Sequence, residues 1–190
     1  MCIRDRGTVI ADSAQGGVSQ HNAFHNTLKL FFHGLLSTLP GHAGTPLYVT
    51  AADQVAAAAL CALEAPPRGV WHVCGTRSET PTLARVIDRA LEVFGGDASF
   101  RRRGVPRPLF MDAAAWVLLA ESVERFSGPV VREAMASIAP FAPQLFVDKD
   151  VEARRLRAAL PDAAPLDHDA LVAVACAELL RAGWRLPRAA

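Results

Sequence analysis

Apolar residues recur along this chain with two different periods. Thr8–Ala11 (TVIA) is a short run with β-branched members that ends in Asp12-Ser13 and the Gly16-Gly17 pair, the pattern of a strand running into a loop. Residues 20–37 place Phe24, Leu28, Phe31, Phe32, Leu35 and Leu36 at i, i+3 and i+4 spacings, which predicts a helix. LPGHAGTP reads as a loop and LYVT as a short strand. An alanine-rich helix follows over 51–63, where Thr50 and Asp53 stand at capping-box spacing, and APPRG ends it. VWHVC, residues 70–74, is the second clear strand. Pro81 suits the first turn of a helix in which Leu83, Val86, Ile87, Ala90, Leu91 and Phe94 form one stripe, closed by Gly95. SFRRRGVPRP then reads as extended, and beyond it only helices are expected, over 110–126, 129–139, 148–160 and 167–182.

Strands alternating with helices predict an α/β fold built on a parallel sheet. Two good strands are too few for such a sheet, whose edge groups need partners. The first part of the chain therefore reads as the end of a larger α/β domain, and the strand carrying Val9 and Ile10 is expected to lack a sheet neighbour.

The chain has 190 residues, 51% hydrophobic and 21% charged, which excludes a disordered polypeptide. With 20 basic against 19 acidic residues the net charge is +1, so no global field favours nucleic acid or an anionic membrane. All the basic residues except Lys29 and Lys149 are arginine, which together with the alanine content reads as a GC-rich coding bias. Cys2, Cys61, Cys74 and Cys176 show no CxxC or metal-ligand spacing and are expected to be buried thiols, as in a reducing cytoplasm. No apolar run approaches the ~20 residues of a membrane span, and no signal-peptide core follows MCIRDR. That opening resembles an adapter-derived leader, so residues 1–6 are expected to be non-native, with genuine protein beginning near Gly7.

Few residues carry recognisable chemistry. No glycine arrangement forms a phosphate-binding turn, and no GxSxG elbow surrounds Ser13, which reads as a polar loop or ligand-contacting residue. His21 and His25 would share a helix face, as a metal pair does, but no third ligand accompanies them; they read as lining a pocket or the helix surface, and no metal is expected. Asp12 stands at a strand's carboxyl end, where open α/β sheets bind ligands, although capping its own loop is the plainer role. Arg101-Arg102-Arg103 reads as a solvated run, with a phosphate contact as the other reading.

In order and spacing, these segments resemble the C-terminal half of the extended short-chain dehydrogenase/reductase family, in the branch of acyl-thioester and fatty-acyl-CoA reductases related to the male-sterility proteins. DRGTVIADSAQG stands where that family has a segment like RPSIVVGDSRTG, with Val9, Ile10, Asp12, Ser13 and Gly16 matching and Asp5-Arg6 departing. LYVTAADQVAAAAL resembles LDVVPVDYVADAL, with Asp53, Val55 and Ala56 in register, and WHVCG resembles YHLTSG through His72 and Gly75. TPTLARVIDRALEVFG is similar to the helix after the last strand, and LFVDKDVEARRL with the closing helix ending in GW is similar to the family's final element.

The resemblance implies the C-terminal part of a Rossmann-like parallel sheet, residues 7–75, followed by a mostly helical substrate-binding region, residues 76–190. It implies a fragment of an NAD(P)-dependent oxidoreductase whose intact parent reduces an acyl thioester or related carbonyl. The catalytic Tyr-xxx-Lys pair is not in the chain: the sole tyrosine is Tyr48, and Ala52 stands where the lysine would be. No catalytic residue is therefore assigned, NAD(P)(H) is expected only in the intact parent, and tight binding to this chain alone is not expected. By the resemblance, Gly7, Thr8 and Val9 approach the nicotinamide end of the cofactor, while Asp12, Ser13, His21, Asn22, Phe24 and His25 line the substrate side. The partners expected are a small-molecule substrate and a missing N-terminal Rossmann half, in a cytoplasmic protein without nucleic acid. A binding module that completes a sheet in trans, and a fragment of a nucleotide-sugar epimerase or dehydratase, are the alternatives.

Overall fold

The computed structural model describes residues 5–14, 16–64, 70–160 and 165–185. Two short strands, β1 (Asp5–Arg6) and β2 (Thr8–Ala11), are one extended segment joined through Gly7. Helix α1 (Ala23–Phe32) leads to β3 (Thr38–Pro40), then to β4 (Val49–Ala51) and directly into α2 (Ala52–Glu64). Strand β5 (His72–Val73) precedes α3 (Leu83–Phe94), the short α4 (Ala98–Arg103) and β6 (Leu109–Met111). Helical elements follow: α5 (Ala113–Phe126), α6 (Pro129–Ile138), a 3-10 turn (Ala142–Phe146), α7 (Arg154–Ala159) and α8 (His168–Arg181).

All strand pairs are parallel: β1 with β5, β2 with β4, and β3 with β6. The Gly7 amide donates to the Val73 carbonyl at 3.1 Å, and the next amide, of Thr8, donates to the Tyr48 carbonyl at 2.7 Å. Successive amides of a strand point to opposite sides. The segment through Gly7 is therefore a central strand, with β5 on one side and β4 on the other. This corrects the expectation of an unpartnered strand at Val9 and Ile10: β2 has β4 beside it, and Ile10 is buried.

Side chains from α1 complete that strand's hydrogen bonding. The pairing register slips between Val9 and Ala11, as at a β-bulge. There the Val9 carbonyl accepts from Asn22 Nδ2 at 2.8 Å, and the Ile10 carbonyl accepts from His25 Nε2 at 2.8 Å. Asn22 is also the N-cap of α1, its Oδ1 accepting from the Phe24 amide, while His25 Nδ1 accepts from the Asn22 amide. The two bonds at His25 fix a neutral ring with its proton on Nε2, because a carbonyl oxygen can only accept. Burial holds the His25 pKa below the ordinary histidine value, against the opposing pull of the Ile10 carbonyl.

Other differences from expectation have local causes. The capping box sits at Asn22 and His25, not at Thr50 and Asp53: the Asp53 carboxylate accepts from Ser13, and Thr50 Oγ1 donates to Gln54. Residues 98–103, expected to be extended, are helical because Asp97 caps the amides of Ser99 and Phe100; Gly104 ends the turn at a left-handed φ of 59°. The loop expected from Leu39 begins instead with β3, which pairs with β6 in a stretch expected to hold helices alone. The helices expected over 20–37 and 148–160 contract to α1 and α7. Cys74 and Cys176 are buried, the latter with its thiol pushed up to about 12 by burial, but Cys61 is half-exposed. Cys2 and most of the proposed leader lie outside the described residues.

The core lies between α1, α3, α8 and the sheet. α3 buries Leu83, Val86, Ile87, Ala90 and Phe94 along one stripe and packs on α8, which in turn covers β2 and β4. Phe94 is wholly buried, with ring centroids of Phe31, Phe32, Phe100 and Trp184 at 6.1, 5.2, 5.6 and 5.9 Å. Aromatic pairs at such separations add to simple burial. Phe94→Ala should therefore lower the unfolding free energy by roughly 3–5 kcal/mol, read from urea titration. A loss well under 1 kcal/mol would mean that this cluster does not hold the helices together.

Buried imidazoles also tie stability to pH. His168 opens α8 in a buried position where its Nε2 has no hydrogen-bond partner among the described residues, packed so closely on Gly75 that a Cβ there would lie 3.1 Å from that nitrogen. Burial depresses its pKa, outweighing the nearby carboxylates of Glu79, Asp167 and Asp169. For His25 and His168 the folded value lies below the unfolded one, so the unfolded chain takes up protons first as pH falls. Stability should be complete above the unfolded histidine value near 6.5 and decline as the pH drops through and below it. Urea midpoints between pH 7.5 and 5.5 test this, and His168→Gln should flatten the slope; a midpoint that rises on acidification would contradict neutral buried rings.

Candidate functional site

One cavity of about 730 Å³ opens beside the central strand. Its floor is Arg6, Gly7 and Thr8 together with Leu47 and Tyr48, the residues leading into β4. Gly7 is required there by close approach: a Cβ would sit 2.9 Å from the Tyr48 carbonyl oxygen. One wall is the first turns of α1, presenting Asn22, Phe24, Thr27 and Leu28; another is α3, presenting Leu83, Val86 and Ile87. The roof comes from Ile138 at the end of α6 and from Phe141, Gln144 and Leu145 around the 3-10 turn. Gly41, at a φ of 108°, lets the chain after β3 pass under that turn, since a Cβ would lie 2.6 Å from the Leu145 carbonyl.

The last side is an irregular strap, residues 147–153, of which Lys149, Asp150 and Val151 face the cavity. Side chains from the sheet end fasten it. Tyr48 Oη donates to the Lys149 carbonyl at 2.9 Å and accepts from the Val151 amide at 3.3 Å. His72 Nδ1 donates to the Glu152 carbonyl at 2.9 Å, and Arg77 pairs with Asp148 while donating to the Lys149 carbonyl. Burial, with Asp150 adding to it, raises the Tyr48 pKa above the ordinary phenol value, which keeps its proton in place for the strap.

The cavity therefore has two chemistries. Arg6, Tyr48, His72, Lys149 and Asp150 gather where the sheet meets the strap. Leu28, Leu39, Val86, Ile87 and Ile138, all buried members of the main core, line it as well.

Of the residues singled out in the sequence, Gly7, Thr8, Asn22 and Phe24 line this cavity. Val9 and His25 belong to the bonds that hold α1 to β2. His21 stacks on His25 with ring centroids 5.5 Å apart, and burial lowers its pKa, Lys29 adding to the effect. Asp12 and Ser13 lie beyond the strand end in a tight loop, where Asp12 Oδ1 accepts from the Ala14 amide and Ser13 donates to Asp53 through both amide and hydroxyl. Burial alone would raise the Asp53 pKa, but the Ser13 bonds and nearby amides outweigh it and hold the carboxylate below its ordinary value. Among the described residues no cluster of three or more His, Cys, Asp or Glu is placed to hold a metal ion. No helix among them is long and apolar enough to cross a membrane.

Sequence reasoning missed the roof and the strap. Tyr48 is the sole tyrosine and could have been singled out for that reason, and the alternating charges of Asp148-Lys149-Asp150 could have marked a functional loop. For Ile138 and Leu145 there was no signal beyond apolarity.

No protein-family model and no curated protein sequence matches the chain. Solved structures do. The terminal R domain from the myxalamid PKS-NRPS biosynthetic pathway superposes with a TM-score of 0.60 at 14% identity, over 96% of this chain and 44% of that one. A thiolation-reductase di-domain from an archaeal non-ribosomal peptide synthetase gives 0.62 at 17% identity, over 94% of this chain and 35% of that one. The chain thus spans less than half the length of either structure. Its fold is that of part of a Rossmann-like α/β domain, with short parallel strands followed by a mostly helical region.

Proposed function

We propose that this chain is the C-terminal portion of an NAD(P)-dependent oxidoreductase of extended short-chain type, and that the intact parent reduces an acyl thioester or related carbonyl. The observation that carries the reading is the likeness to two reductase domains over at least 94% of the chain, obtained from less than half of each of them. The cavity supports it, because it lies against a parallel sheet and joins an apolar wall to a few polar groups, as substrate sites do.

The residues present fit one end of a dinucleotide. Gly7 and Thr8 border the cavity beside the central strand, whereas no stretch of the chain has the glycine-rich turn that holds a pyrophosphate. When bound to the parent, NAD(P)H supplies a hydride. Gly7, Thr8 and Val9 of this chain would flank its nicotinamide end, and Asp12, Ser13, His21, Asn22, Phe24 and His25 would stand on the substrate side. Within this arrangement Asn22 and Phe24 contact the ligand directly. His25 acts as a positioning residue, since both ring nitrogens are committed to holding Asn22 and β2. The Tyr-xxx-Lys pair would come from the partner half, so catalysis by this chain alone is not expected.

The test is to sequence the DNA upstream of codon 1, express any in-frame extension together with this chain, and follow NAD(P)H absorbance with acyl thioesters. The expected result is an extension encoding a glycine-rich turn and a Tyr-xxx-Lys helix, with NAD(P)H consumed by the long chain and not by the short one. A stop codon and ribosome site directly upstream would overturn the reading in favour of a binding module. So would an extended chain that leaves acyl thioesters untouched.

A further inference from the structure

We infer that residues 147–160, the strap together with α7, form a flap that opens as a unit to give access to the cavity, and that the Tyr48 hydroxyl is its latch. This does not rest on the reductase reading, because it concerns entry to the cavity and not the reaction carried out there. Three observations carry it.

The first is how little of the flap is buried. Of its residues Ala153 alone is buried and α7 buries none, whereas α8 buries His168, Leu171, Val172, Ala175, Cys176 and Leu179. One alanine side chain removes little apolar surface from water. The flap is therefore not held down by the hydrophobic core. Segments with few buried apolar contacts open locally, at a fraction of the free energy of global unfolding.

The second is what does hold it. Its ties are polar, and they come from the sheet, from α2 and from the loop after β5. His72 Nδ1 donates to the Glu152 carbonyl at 2.9 Å, and Arg77 Nη1 donates to the Lys149 carbonyl at 3.2 Å. Arg77 also pairs with Asp148, and Arg157 pairs with Glu79, both at the surface where ion pairs contribute little. Cys61 Sγ adds a weak bond to the Ala159 carbonyl at 3.6 Å. Tyr48 Oη makes two bonds, donating to the Lys149 carbonyl at 2.9 Å and accepting from the Val151 amide at 3.3 Å. One hydroxyl thus grips the strap on both sides of Asp150.

The third is where that hydroxyl lies. Tyr48, Cys74, Lys149, Asp150 and Val151 all line the cavity. Asp150 and Cys74 are close enough to the phenol to reinforce the effect of burial in raising its pKa, so the latch keeps its proton. Releasing it frees the side of the cavity that the strap supplies, beside the buried Cys74. A flap held this way excludes water when down and admits a ligand when lifted.

The experiment is alkylation of this chain with iodoacetamide, followed at Cys74 and Cys176 by peptide mass spectrometry. Cys176 is wholly buried in α8 and reports global unfolding, while Cys74 reports the flap. In the native chain Cys74 should react more slowly than in the urea-unfolded chain, but faster than Cys176. In low urea the Cys74 rate should barely change while the Cys176 rate climbs, since flap opening exposes little surface and global unfolding exposes much. Tyr48→Phe, which removes only the hydroxyl, should speed Cys74 roughly 5–30-fold, the effect of losing two ordinary hydrogen bonds. Three results would overturn the inference: Cys74 as reactive as in the unfolded chain, Cys74 climbing with urea in step with Cys176, or a folded Tyr48→Phe chain with an unchanged Cys74 rate. If that variant does not fold, hydrogen exchange at the Val151 amide decides on the latch. It should be protected and share the weak urea dependence of Cys74; an unprotected amide would show that Tyr48 does not hold the strap.

Discussion

The segment Asp5–Ala11 is the constraint on which the rest of the fold depends. A parallel strand presents hydrogen-bonding groups on both sides, and any left buried without partners costs about 1–3 kcal/mol each. Here β5 takes one side at Gly7 and β4 the other at Thr8. Where the register slips, Asn22 and His25 take the carbonyls of Val9 and Ile10. Those two side chains also start α1, so one set of hydrogen bonds completes the strand and aims the helix. The position of α1 then fixes the wall that Phe24 and Leu28 present to the cavity.

The cavity is a consequence of that placement together with a long-range closure. Residues 147–153 form no regular element, yet they run across the sheet end because Tyr48, His72 and Arg77 hold their backbone. A segment without its own secondary structure needs such external partners for its amides and carbonyls. The polar half of the cavity therefore comes from tertiary hydrogen bonding, and the apolar half from the same aliphatic residues that build the core.

The comparisons show the fold of part of a Rossmann-like α/β domain, and the pairing of its strands explains why that part is ordered around a central strand and not an exposed edge. The covering of β2 and β4 by α8 matters in the same way, since the C-terminal helix is what encloses the strands from behind. Residues near the end of the chain thus help to shape a sheet encoded at its beginning.

The sequence by itself determined the α/β class, the stripe of α3, the strand at Thr8–Ala11 and the helical character after β6, because each depends on periodicity within a dozen residues. Through the family resemblance it also brought Gly7, Thr8, Asn22 and Phe24 to notice. Tertiary structure alone decided the pairing of β3 with β6: strands of three residues carry almost no periodic signal and exist only where a distant partner supplies the bonds. It likewise decided that Asp53 would bind Ser13 and not cap α2, and that His25 would be a neutral structural ring. The strap belongs with these, for its role rests on contacts a hundred residues away, such as Tyr48 with Lys149, and local pattern holds no record of such distances.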